Sequence, residues 1–94
     1  MFLDEVCTRS SHVIDRDLQG EAVLLDLNTG IYFSLNPVGG YIWSLLNGQR
    51  TVRDIVDLVV AEFDVDPETA AEDTTALVRD FLEQKLAHTA NEGA

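Results

Sequence analysis

Residues 21–48, EAVLLDLNTGIYFSLNPVGGYIWSLLNG, decide the fold, because they spell a tight hairpin running straight into an amphipathic helix. Two apolar runs, Ala22 to Leu27 and Ile31 to Leu35, are rich in leucine, β-branched and aromatic residues. Between them lies Asn28-Thr29-Gly30, where asparagine and glycine tolerate the positive φ that a short hairpin loop needs. In the second run Ile31, Phe33 and Leu35 share one face, expected to be the core face, and Tyr32 and Ser34 share the other. Asn36 then caps a helix whose first residue is Pro37, a ring pre-set to helical φ with no N–H to satisfy. Val38, Tyr41, Ile42, Leu45 and Leu46 follow at helical spacing, and Asn47-Gly48 is expected to supply a left-handed stop. Strand and helix are joined without slack, and the strand's outer edge is left as a docking rail.

Working outward, Leu18-Gln19-Gly20 turns the chain into the hairpin. Ser11 to Asp17, SHVIDRD, is the candidate for a third antiparallel strand, since a lone two-stranded hairpin is marginal in water. Residues 1–10 show no period and are expected to form a flexible arm, and residues 87–94 a flexible tail. The folded unit is expected over residues 11–86. Downstream, Thr51 and Asp54 form a capping box with Asp in place of the usual Glu or Gln. Val52, Ile55, Val56, Val59, Val60 and Phe63 then make an apolar stripe. Asp66-Pro67 opens a third helix with the stripe Ala70, Ala71, Thr74, Leu77, Val78, Phe81, Leu82 and Leu86. The fold class is therefore α+β, a three-stranded antiparallel sheet followed by three helices.

Ninety-four residues with 46% apolar and 24% charged side chains suit one modest core. The charge balance is unusual: Lys+Arg 6 against Asp+Glu 17 gives a formal net charge of -11. Such a surface repels nucleic acid and anionic membranes, which both draw their affinity from Lys and Arg. The first ten residues carry acids where a signal peptide needs bases, and no apolar run approaches ~18 residues. A cytoplasmic protein is expected, with no nucleic-acid or membrane partner. Cys7, the single cysteine, has no internal partner for a disulfide.

The residues offer little catalytic chemistry. Asp64, Asp66 and Glu68 alternate like the start of a calcium loop, but Thr69 stands where that loop needs glycine and Thr75 where it needs a bidentate glutamate. His12 and His88 have no His or Cys at ligand spacing, and no metal or other cofactor is expected. Gly39-Gly40 lacks the Lys-Ser or Lys-Thr of a phosphate loop and is better suited to close approach by a packed neighbour. Trp43 lies off its helix's main stripe, which leaves it as either a second-side packing residue or part of a partner surface. With no nucleophile, base and pocket set, a non-enzymatic binding module is expected.

Residues 24–56, LLDLNTGIYFSLNPVGGYIWSLLNGQRTVRDIV, resemble the PqqD-like family of RiPP precursor-peptide recognition elements. The pattern is Leu25-Asp26, Gly30, Tyr32, Leu35-Asn36, Gly39, Ile42-Trp43, Leu45-Leu46, Gly48, Thr51-Val52 and Ile55, and it continues more loosely to Leu86. The family's usual Gly-Leu ending is replaced by Ala87-His88-Thr89. The resemblance implies a winged helix-turn-helix-like fold that binds a disordered leader peptide as an added strand, on the edge of the third strand and against the third helix. On this chain the implied binding residues are Ile31, Tyr32, Phe33, Ser34 and Leu35 on the strand, with Asp73, Thr74, Leu77, Asp80 and Phe81 on the helix. Leu77 and Phe81 are the candidates for an apolar anchor pocket. The resemblance further implies a free-standing module that serves a separate leader peptidase or other modifying enzyme, with the lasso-peptide type favoured. One alternative is a PqqD-type chaperone for a radical SAM enzyme in pyrroloquinoline quinone biosynthesis. Two from other classes are a winged-helix DNA-binding regulator, opposed by the charge, and an acidic carrier protein, opposed by the hairpin.

Overall fold

The computed structural model describes residues 1–19 and 21–90. In chain order it contains a 3-10 turn (Phe2–Asp4), β1 (Val6–Arg9), β2 (Val13–Leu18), β3 (Glu21–Asp26), β4 (Tyr32–Leu35) and α1 (Pro37–Ser44). These are followed by β5 (Asn47–Thr51), α2 (Val52–Phe63), α3 (Pro67–Glu83) and β6 (Ala87–Thr89). The strands form two sheets, ordered β2-β3-β4 and β5-β1-β6.

The first sheet is the one anticipated. β2 pairs antiparallel with β3, and β3 with β4, in a register that sets Leu24 opposite Phe33 and Leu25 opposite Tyr32. Asp26 organises the β3–β4 loop. Its buried carboxylate accepts the backbone N–H of Asn28 (2.8 Å) and of Thr29 (3.3 Å), while its carbonyl accepts that of Gly30 at φ +76°. A short acceptor two residues before a turn supplies hydrogen bonds the strands cannot. At the β2–β3 turn Gln19 adopts φ 55°, and Gly20 lies outside the described residues.

The helix starts are as the sequence reads. Asn36 accepts the Gly39 N–H at 2.8 Å, Thr51 and Asp54 exchange both capping-box bonds at 3.1 Å, and Asp66 accepts from Glu68 and Thr69. The core joins Leu24 and Leu35 of the sheet to Ile42, Trp43 and Leu46, to Val52, Ile55 and Val59, and to Val78 and Phe81. Trp43 is a packing residue: it meets Phe81 edge-to-face at 5.2 Å, and its indole N–H donates to Asp15 at 2.7 Å. Gly39 and Gly40 do serve close approach. A Cβ on Gly40 would stand 3.1 Å from Ala22, and one on Gly39 would stand 3.4 Å from Leu35 and 3.5 Å from Leu77.

The second sheet corrects two expectations. Residues 6–9, read as part of a flexible arm, form the central strand β1, which pairs with β5 and β6 and buries Cys7. Residues 87–89, read as tail, form β6, and residues 91–94 lie outside the described residues. The first helix also ends at Ser44, so Asn47-Gly48 open a strand rather than stopping a helix. Gly48 does hold a positive φ (+80°), but inside the β1–β5 pairing, where the register shifts between Val6 and Thr8 and Thr8 Oγ1 lies 2.7 Å from the place a Cβ would occupy.

Candidate functional site

β4 is an edge strand, paired on one side by β3. Asp26 N–H donates to the Ile31 carbonyl at 3.0 Å, which makes residues 26 and 31 a hydrogen-bonded pair. Bonded and non-bonded pairs alternate along an antiparallel ladder. It follows that Phe33 and Leu35 bond inward to Leu24 and Ala22, whereas the N–H and C=O of Tyr32 and Ser34 point to the free edge. That edge carries two unpaired donors and two unpaired acceptors from these residues, the template that a further strand completes.

Along the expected strand segment, Tyr32 is 68% exposed, Ser34 is exposed, Phe33 is half-buried and Leu35 is buried in the core. Ile31 has the parity of Phe33 and Leu35 but lies ahead of β4, beyond the cover of the core, and is 53% exposed.

α3 approaches the start of α1, just past the end of β4, through Leu77, whose tip lies 3.5 Å from where a Cβ on Gly39 would stand. Asp73, Ala76, Leu77, Arg79, Asp80 and Glu83 line an open depression on α3. Thus Asp73, Leu77 and Asp80 are brought together on one accessible face. Thr74 and Phe81 are not: Thr74 is fully buried, and Phe81 is 3% exposed and spent on Trp43. Of the two anchor candidates, the structure leaves only Leu77 at the surface. Ala76 and Glu83, which also line the depression, were missed, although each follows a residue already singled out, Asp73 and Asp80, by three positions on the same helix face. The depression is acidic, with Asp73, Asp80 and Glu83 against Arg79, whose guanidinium stacks over Phe2 at 4.6 Å.

A second cleft, at the opposite edge of the sheet, lies between β2 and α1. Arg9, Asp15, Arg16, Tyr41, Trp43 and Ser44 are among its lining residues. Its polar groups are largely engaged with one another: Asp15 holds the Trp43 indole, Arg9 donates to the Ser44 carbonyl at 3.3 Å, and the Ser44 hydroxyl donates to the Tyr41 carbonyl at 2.6 Å. Among the described residues no group of three His, Cys, Asp or Glu side chains could hold a metal ion, and no helix is long and apolar enough to cross a membrane.

Comparison with known proteins places this arrangement. Residues 21–87 match the family model for coenzyme PQQ synthesis protein D (PqqD). No curated protein matches the chain. Among solved structures, TbiB1 in complex with the TbiA(beta) leader peptide is 37% identical, with a TM-score of 0.77 over 86% of this chain and 94% of that one. A lasso peptide synthetase B1 complexed with the leader peptide has the same fold at 24% identity, with a TM-score of 0.78 over 88% of this chain and 98% of that one. With a hairpin, three helices and 67 consecutive residues (21–87) on the family pattern, the chain belongs to the PqqD family.

Proposed function

We propose that this chain binds the leader segment of a ribosomally synthesised precursor peptide, adding it as a strand to β4 beside α3. It delivers the bound precursor to a separate leader peptidase or other modifying enzyme in lasso-peptide biosynthesis and performs no catalysis itself. The observation that carries this reading is the free edge of β4, where Tyr32 and Ser34 present backbone donors and acceptors, with Leu77 of α3 packed against Gly39 just past the end of that strand. The 37% identity to TbiB1, a protein held with a leader peptide, supports the same ligand class.

The energetics require both parts of the site. Four new backbone hydrogen bonds contribute roughly 2–6 kcal/mol. Ordering a disordered leader costs roughly 2–5 kcal/mol. The backbone therefore comes close to breaking even, and net affinity must come from apolar leader side chains buried against Leu77, at about 1.5–3 kcal/mol each.

DNA binding is a poor use of these helices. Arg53 of α2 donates to Asp4 at 3.1 Å and Arg79 of α3 stacks on Phe2, so each is already engaged by a neighbour, and the net charge of -11 opposes a phosphate backbone. The family's pyrroloquinoline quinone branch would use the same edge, and the two pathways are separated by which leader binds.

Ser34→Pro tests the reading. It removes an outward N–H that β3 does not use, at an edge where proline is tolerated. The variant should stay folded and lose at least tenfold in affinity for a labelled leader peptide. Unchanged affinity would remove strand addition at β4.

A further inference from the structure

The cleft between β2 and α1 begins where the leader edge ends. Leu35 closes β4, and the next two residues, Asn36 and Pro37, line the cleft. The first turn of α1 separates the two sites: Gly39 packs on Leu77 of α3, whereas Gly40 packs on Ala22 and lines the cleft. Asp17, Ala22 and Leu35 form one cross-strand row, so the row that ends the leader edge also supplies two cleft residues. The volume, about 410 Å³, is that of a small-ligand site. Its charge differs from that of the rest of the surface. Arg9 and Arg16, two of the chain's six bases, line it together with Asp15 and Asp17, so it is locally balanced in a chain of net charge -11. Among the described residues the Arg16 guanidinium and the Tyr41 hydroxyl have no hydrogen-bond partner, and Asp15 spends one carboxylate oxygen on the Trp43 indole. Donors and acceptors side by side beside an aromatic ring suit a polypeptide segment of mixed polarity, whereas the two carboxylates oppose a phosphate.

We infer that this cleft takes the N-terminal end of the leader peptide, the part that precedes the strand on β4. The inference rests on the leader-binding reading above. Continuity chooses this occupant. Every pairing in the sheet is antiparallel, and a leader added to β4 in the same sense runs opposite to it, so its N-terminal end leaves the edge beside Leu35. From the added strand to β2 is three strand spacings, about 14 Å, which an extended chain covers in about four residues. The segment passes outside Asn36 and Pro37 and sets backbone carbonyls on Arg16 and Tyr41. A basic group, a Lys or Arg side chain or the leader's own α-ammonium, then meets Asp15. The leader is held at both ends of the β2-β3-β4 row, and part of its affinity comes from residues that pair with no strand.

The test titrates the protein with the full-length leader, labelled at its C-terminal end, and with a series shortened one residue at a time from the N-terminus. The variant is Arg16→Ala with Tyr41→Phe: Arg16 is exposed on β2, and phenylalanine keeps the ring that meets Phe63 edge-to-face. The proposal expects the parent protein to lose at least tenfold in affinity before truncation reaches the strand segment. The double variant should bind the full-length leader at least fivefold more weakly than the parent does, and the shortened leader within twofold. Equal parent affinity for full-length and shortened leaders would overturn it, as would a double variant that weakens both leaders alike. A second measurement needs no variant: a full-length leader carrying a benzophenone side chain near its N-terminus is photo-cross-linked to the parent protein. Adducts on residues 15–17 or 36–44 are expected, and adducts confined to α3 would overturn the assignment. Failure of the parent protein to bind any leader is a separate outcome, which removes the leader-binding reading first and this inference with it.

Discussion

Replacing Thr74 by valine should stabilise the protein and leave leader binding untouched. Thr74 sits on α3 with no solvent exposure, and its Oγ1 has no hydrogen-bond partner. A buried hydroxyl without a partner carries a desolvation cost of roughly 1–3 kcal/mol. Valine keeps the branched shape, removes the polar atom and has nearly the same helix propensity, so little offsets the gain. The expected change is about 1–2 kcal/mol of added stability. For a domain of this size, each kcal/mol raises Tm by roughly 4–8 °C. Urea unfolding is the direct assay: the midpoint should rise with an unchanged m-value, which separates a stability effect from a change in the unfolded state. A valine variant less stable than the parent would show that the hydroxyl is bonded in the folded protein. A stable variant with leader affinity reduced more than fivefold would return Thr74 to the binding surface, where helical spacing alone had put it.

Other substitutions separate core from surface. Leu77→Asp should leave the protein folded by circular dichroism while weakening leader binding at least tenfold, whereas Phe81→Ala removes the ring packed edge-to-face on Trp43 and should cost about 3–5 kcal/mol of stability. If Phe81→Ala unfolds at the parent's urea midpoint, the ring is not a core element. Gly48→Ala should destabilise by roughly 1–3 kcal/mol, since the residue holds φ +80° and a Cβ would meet Thr8 Oγ1 at 2.7 Å. Thermal unfolding unchanged within a degree would show that the β1–β5 pairing has room for a side chain at this position.

The parts of the fold legible in the sequence are those whose cause is local. Asn36-Pro37, Thr51 with Asp54, and Asp66-Pro67 each fix a helix start with side chains within three residues, and each is found as read. The hairpin was legible because Asp26, Asn28 and Gly30 belong to one turn. The β5-β1-β6 sheet was not, because its strands come from the two ends and the middle of the chain, and β5, Asn-Gly-Gln-Arg-Thr, has no apolar alternation to announce it. Only pairing with β1 makes it a strand. The same limit explains the candidate site. Period 3.6 places Asp73, Thr74, Leu77, Asp80 and Phe81 around one broad side of α3, but only the packing of Trp43 shows that Phe81 turns inward while Leu77 stays at the rim beside Gly39. The outward direction of the Tyr32 and Ser34 amides depended on the ladder register, which the loop hydrogen bonds set.

Residue-resolved amide exchange on β4, with and without saturating leader peptide, tests strand addition most directly. The Phe33 and Leu35 amides, already bonded to β3, should be protected in both states. The Tyr32 and Ser34 amides should exchange rapidly in the free protein and slow at least tenfold when leader is bound. Tyr32 and Ser34 amides that stay fast at full leader occupancy, with new protection appearing elsewhere, would contradict a leader strand on β4.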